Sequence, residues 1–136
     1  MAGDVEAHVV LEDADTLAFL DNRPLFPGHS LLVPREHVET LADLPDSLIG
    51  ELFGNARLLA RAMETGLGAQ GSFVAINNRV SQSVPHLHVH VVPRTKGDGL
   101  RGFFWPRQQY EDPRHAAETS ARLRDAVAAL RGEVAC

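Results

Sequence analysis

The chain has 136 residues, 44% of them hydrophobic, and a formal net charge of −5 from 13 basic and 18 acidic side chains. That length suits one domain, residues 1–136, whose core needs no staples, and the one cysteine, Cys136, excludes an intrachain disulfide or a cysteine zinc cluster. The acidic balance argues against a nucleic-acid polymer as partner; with no long apolar run and no leader-like start, neither a membrane span nor secretion is expected, and the expected setting is the cytoplasm.

Residues 7–11 (Ala-His-Val-Val-Leu) and 16–21 (Thr-Leu-Ala-Phe-Leu-Asp) read as two strands joined by an acidic turn, hence a hairpin. The loop Asn22-Arg23-Pro24-Leu25-Phe26-Pro27-Gly28 follows, and residues 29–34 read as a third strand closed by Pro34. A helix is expected from about Pro45 to Thr65, because Leu48, Ile49, Leu52, Phe53, Ala56, Leu59 and Met63 form one stripe at helical spacing, with Gly66 just past its end. The stripe is read as core, since a sheet must be covered. Residues 72–77 make a fourth strand.

The fifth strand is the most informative stretch. In Val84-Pro85-His86-Leu87-His88-Val89-His90-Val91-Val92-Pro93-Arg94 three histidines alternate with aliphatic residues. Period two puts His86, His88 and His90 on one face of a strand and Leu87, Val89 and Val91 in the core. The residues alone leave three readings open: a histidine-rich exposed face, a zinc site with an open position, or nucleophilic catalysis by one imidazole held by its neighbours. Gln82 and Ser83 supply neutral donors just before the strand, in a loop whose backbone N–H groups can form an anion nest. Arg94, Lys96, Arg101 and Arg107 against Asp98 make the segment after it cationic. Neutral imidazoles beside anion donors point to phosphate chemistry.

The segment Gly102-Phe103-Phe104-Trp105-Pro106-Arg107 holds much of the aromatic content and is read as an anchor against the core or a second subunit, the alternative being a surface that stacks on a second base or covers the site. A C-terminal helix is expected from Asp112 as N-cap, with Leu123, Val127 and Leu130 as its apolar side and Gly132 at its end. The fold class is therefore α+β, a mainly antiparallel five-stranded sheet with a long helix and a C-terminal helix, in one domain with a tail from about residue 108.

Gln82-Ser83-Val84-Pro85-His86-Leu87-His88-Val89-His90-Val91-Val92 resembles the signature of the histidine triad (HIT) superfamily, His-φ-His-φ-His-φ-φ with φ apolar. Phe19-Leu20-Asp21, Pro27-Gly28-His29-Ser30-Leu31-Leu32-Val33-Pro34-Arg35-Glu36-His37-Val38 and Leu41-Ala42-Asp43-Leu44 are similar to the family's earlier blocks. The resemblance implies a homodimer that binds a nucleotide and hydrolyses or transfers at its α-phosphate without cofactor or metal. It implies that His88 attacks phosphorus, that His90 hydrogen-bonds the phosphoryl group and that His86 fixes the geometry, supported by His29. Asp21 would bind the ribose, Phe19 the base, and Asn77, Gln82 and Ser83 the phosphate. The extension after the triad resembles the fragile-histidine-triad branch, which implies an adenine-containing dinucleoside polyphosphate with Arg94 and Lys96 on its phosphate chain. In relatives with a structural zinc, the positions of His37 and His86 join two cysteines; those cysteines are absent here, so no metal is expected. Ser81 stands where many members carry glycine, and the loop between Asn77 and Gln82 is about two residues shorter than usual.

Overall fold

A computed structural model describes residues 7–100 and 107–135. The aromatic segment Phe103-Phe104-Trp105 lies outside the described residues. The chain forms two compact units, Met1–Gly99 and Leu100–Cys136.

The first unit is one five-stranded sheet with a helix on one face. Strands β1 (Val9–Glu12), β2 (Thr16–Leu20), β3 (Ser30–Pro34), β4 (Gly71–Ala75) and β5 (Val89–Arg94) lie in the order β1-β2-β3-β5-β4. Every neighbouring pair is antiparallel. The first hairpin forms as expected: Asp13 accepts from the Thr16 N–H and hydroxyl, both at 2.9 Å, which closes the turn.

Helix α1 (Asp46–Leu67) buries Leu48, Leu52, Ala56, Leu59 and Met63. They pack with Ala18, Leu32, Leu87, Val89 and Val91 into one core. Leu32, Leu52, Leu87, Val89 and Val91 are fully buried, and each such side chain contributes about 1.5–3 kcal/mol of transfer free energy. Ile49 and Phe53, expected in the same stripe, are instead 42% and 39% exposed, because one residue's step of 100° carries them off the sheet-facing row. The helix also runs through Gly66 and ends at Gly68, whose φ of +71° makes the left-handed cap. Leu41–Asp43 is a separate 3-10 turn before α1, held by the Thr40 hydroxyl donating to Asp43 at 2.7 Å.

The second unit contains α2 (Pro113–Ala135). Asp112 caps it as expected, accepting from the His115 N–H at 2.7 Å. Gly132 does not end it; the helix continues to Ala135, since a glycine costs a helix only about 1 kcal/mol. No helix among the described residues is long and apolar enough to cross a membrane.

One glycine links the sheet to the site. Gly28 has φ of +103°, and an added Cβ would stand 2.5 Å from Leu67 Cδ1 and 3.4 Å from Pro93 Cγ. The Leu67 side chain can swing away, but the backbone strain cannot be relieved without moving His29. Gly28→Ala is expected to lower the stability by about 1–3 kcal/mol, read as a shift of the urea midpoint; an unshifted midpoint would show that the loop relaxes freely.

Candidate functional site

Only His90 of the three alternating histidines belongs to the hydrogen-bonded ladder, opposite Leu31 of β3 and Ala75 of β4. His86 and His88 precede β5, contrary to the single-strand expectation. The reason is a tertiary contact: the N–H of Leu87 donates to the Val38 carbonyl at 2.6 Å instead of to a neighbouring strand. The side-chain alternation survives, with Leu87, Val89 and Val91 buried and the three imidazoles half-buried on the other face.

The backbone sets the ring of His88. Its Nδ1–H donates to the His86 carbonyl at 2.8 Å. A carbonyl can only accept, so in the neutral ring the lone pair lies on Nε2. His86 is fixed the same way, its Nε2–H donating to the Pro34 carbonyl at 2.9 Å. Its Nδ1 faces His37 Nδ1 at 3.3 Å, so His37 supplies the proton of that longer contact.

His29, on the turn into β3, is only 4% exposed. Its Nδ1 accepts the Leu25 N–H at 3.1 Å, which leaves the ring proton on Nε2, and Nε2–H donates to His90 Nδ1 at 3.0 Å. His90 therefore carries its own proton on Nε2. A single backbone N–H thus propagates a tautomer through two rings. Burial holds His29 below the ordinary imidazole pKa, with the Asp21 carboxylate opposing it. Burial, then the charges of His88 and His29, hold His90 below it too, again opposed by Asp21. The His88 and His90 ring centroids are 5.1 Å apart.

The loop before the triad is tied to the segment after β3. Gln82 Nε2 donates to the Glu39 carbonyl at 2.6 Å, and Gln82 Oε1 accepts the Arg79 N–H at 2.8 Å. Asn78 Oδ1 accepts the Leu41 N–H at 2.8 Å. The loop is strained: Arg79 and Ser81 have φ of +68° and +62°. Ser81 thus occupies the backbone region that glycine enters freely.

These elements enclose a cavity of about 450 Å³ on the sheet face away from α1. Of the expected residues, Phe19, Asp21, Ser83, His86, His88 and His90 line it. His29 reaches it through His90. Gln82 acts through the loop it ties. Asn77 is exposed just beyond β4 and is not among the lining residues. Arg94 stands opposite Gly71 at the far end of β5, its guanidinium paired with Asp98 at 2.7 and 3.0 Å. Lys96 follows it on an exposed turn. Neither lines the cavity. Leu31 and Val33 also line it; their alternation with buried Leu32 was the available signal, masked because all three are apolar. The tie from His37 to His86 has no signal in their spacing, and the signal that was available is the family resemblance, which joins these two positions in zinc-binding relatives.

Among the described residues, the group whose ligand atoms converge within 4.8 Å is Asp21, His29 and His90, not the three alternating histidines. It is poorly suited to a metal. His29 would have to bind through Nε2, but that nitrogen holds the proton while Nδ1 accepts a hydrogen bond, whereas a metal-ligating histidine donates from its far nitrogen.

Residues 2–97 match the model of the HIT domain. The chain is 38% identical to an uncharacterised HIT-like protein of Methanocaldococcus jannaschii, over 71% of this chain and 76% of that one. It is 39% identical to a bis(5'-nucleosyl)-tetraphosphatase (asymmetrical) of Schizosaccharomyces pombe, over 60% of this chain and 46% of that protein. The fold superposes on the crystal structure of a HIT family member from Bacillus subtilis with a TM-score of 0.78 at 31% identity, covering 90% of this chain and 89% of that one. With the triad, its tautomer-setting contacts and the sheet in place, the chain belongs to the HIT family.

Proposed function

We propose that this protein is a nucleotide hydrolase or nucleotidyl transferase acting at the α-phosphate of a nucleotide conjugate, with an adenine-containing dinucleoside polyphosphate as the favoured substrate. The observation that carries this reading is the bond from His88 Nδ1–H to the His86 carbonyl, which leaves a lone pair on Nε2 of a ring on the cavity wall. Nε2 attacks the α-phosphorus and a P–N bond forms. The bond from phosphorus to the bridging oxygen breaks, and its electron pair leaves with that oxygen. Water then attacks phosphorus, the P–N pair returns to Nε2, the water's proton passes to solvent and the nucleotide departs. Two modest displacements replace one hard one.

His90 Nε2–H and the Ser83 hydroxyl donate to the phosphoryl oxygens, where charge grows in the transition state. Asp21 accepts from the ribose hydroxyls, and Phe19, with Leu31 and Val33, covers the base. Asn77 and Gln82 act on the phosphate through the loop they flank, and Arg94 and Lys96 serve only the far end of a long phosphate chain. These steps need no metal or cofactor, because imidazole and hydroxyl donors meet the developing charge. The family likeness to a bis(5'-nucleosyl)-tetraphosphatase supports the choice of substrate. A homodimer in the cytoplasm completes the reading; exposed Ile49 and Phe53 on α1 and Val74 on the edge strand β4 supply an apolar surface for the second copy.

Product analysis tests this directly. Diadenosine tetraphosphate and an amine-linked AMP are offered with and without inorganic phosphate. The expected result is AMP from both, with the higher kcat/KM for the dinucleotide. ADP formed only with phosphate present would show phosphate rather than water as acceptor. Tight AMP binding with neither compound consumed would overturn the enzymatic reading.

A further inference from the structure

Residues 38–41 take three ties from the segment that carries the triad. The Val38 carbonyl accepts the Leu87 N–H at 2.6 Å, and the Glu39 carbonyl accepts from Gln82 Nε2 at 2.6 Å. The Leu41 N–H donates to Asn78 Oδ1 at 2.8 Å. The strip is itself held down: Val38 and Thr40 are buried, and the Thr40 hydroxyl donates to the Asp43 carboxylate at 2.7 Å. It forms a fixed rail to which the loop 78–83 is attached at both ends.

That loop needs holding, because its backbone does not favour its own shape. Arg79 and Ser81 take φ of +68° and +62°, a region that residues with a Cβ keep only where their surroundings over-determine it. Inside the loop the Asn78 carbonyl accepts the Val80 N–H, and Gln82 Oε1 accepts the Arg79 N–H, both at 2.8 Å. Gln82 thus closes the loop with one end of its amide and ties it to Glu39 with the other. Asn78 ties the opposite end. The residue after Gln82 is Ser83, which lines the cavity with His88 and His90.

We propose that Asn78 and Gln82 are paired positioning residues, which latch the loop 78–83 onto residues 38–41 and so fix the Ser83 hydroxyl at the phosphate. The role rests on the nucleotide-transfer reading above, and it gives neither amide a contact with substrate. A donor fixed in advance acts where charge grows in the transition state. Loss of the latch therefore lowers kcat and leaves KM nearly unchanged.

Substitution of Asn78 separates positioning from contact. Aspartate keeps an oxygen to accept the Leu41 N–H but has no N–H of its own to give, whereas alanine removes the tie. On diadenosine tetraphosphate, Asn78→Asp is expected to keep kcat within about threefold of wild type, while Asn78→Ala loses about 10–100-fold with KM within about twofold. Gln82→Met should lose a similar factor. The double variant Asn78→Ala, Gln82→Met should lose less than the product of the two, because both open one latch. Amide hydrogen exchange at Leu41 reads the tie with no substrate present, and should be at least about tenfold faster in Asn78→Ala and unchanged in Asn78→Asp. Activity of Asn78→Asp below that of Asn78→Ala, with KM raised, would make Asn78 a phosphate ligand and overturn the proposal. Losses that multiply, or equal kcat in every variant, would overturn it as well. Wild-type protein that consumed no nucleotide would overturn the reading of function and the positioning role with it. Normal turnover with Leu41 exchange unmoved by Asn78→Ala would overturn the latch alone.

Discussion

His88→Asn is expected to lower kcat on a dinucleoside polyphosphate by about 10⁴–10⁶-fold, the scale on which removal of a covalent nucleophile acts. Asparagine keeps an amide donor for the His86 carbonyl, which His88 now reaches at 2.8 Å, so the fold should lose no more than about 1 kcal/mol. AMP binding by calorimetry should be nearly unchanged, because the cavity walls from Phe19, Leu31 and Val33 remain. Acid quenching of the wild type during turnover should trap one nucleotidyl group on the protein, and none on the variant. Full turnover by His88→Asn would mean that another group attacks phosphorus.

The second large effect belongs to His29, which lies outside the alternating histidines. Its Nε2–H holds His90 Nδ1 at 3.0 Å. His29→Leu fills the buried site but releases the His90 ring and frees its tautomer. A misplaced donor at the reacting phosphoryl costs about 10²-fold in kcat, with KM little changed because His29 touches the substrate only through His90. An equal rise in KM would instead assign His29 a direct binding role.

The same substitution has a pH signature. His29 and His90 are both held below the ordinary imidazole pKa, chiefly by burial. Between about pH 6.5 and the depressed folded values the unfolded chain therefore binds more protons than the native one. Stability rises with pH through that window, is complete above it, and falls as the solution is acidified. Removing one of the two groups should make the dependence shallower in His29→Leu than in the wild type. Urea midpoints at pH 7.5 and 5.5 measure it; identical slopes would show that His29 contributes no linkage.

Much of the sheet was legible because its signals are local. Turn residues bounding short apolar runs marked the first strands, period-two alternation marked the histidine strand, and the row from Leu48 to Met63 found the buried face of α1. The ends were less so. Gly66 and Gly132 both look like helix stops, yet neither adopts the left-handed backbone that Gly68 does; that backbone is set where the chain must turn from α1 into β4, a matter of tertiary packing. The alternation at His86, His88 and His90 likewise predicted a shared face but not that the ladder begins only at Val89, since the Val38 carbonyl that takes the Leu87 N–H comes from a distant segment.

The chemistry divides along the same line. Side-chain type and spacing are properties of neighbours along the chain, so the three imidazoles, the Ser83 donor and the apolar partners could be read directly. Hydrogen-bond direction is a property of neighbours in space. Gln82 looked like a phosphate ligand and spends its amide on Glu39 and Arg79; Arg94 looked free for phosphate and is paired with Asp98. Which nitrogen of each histidine holds the proton is decided by Leu25, Pro34 and His86 backbone groups brought into place by folding. The residues announce that imidazoles will work on phosphate; only the packing of residues 25–41 against 86–90 tells each ring which proton to keep.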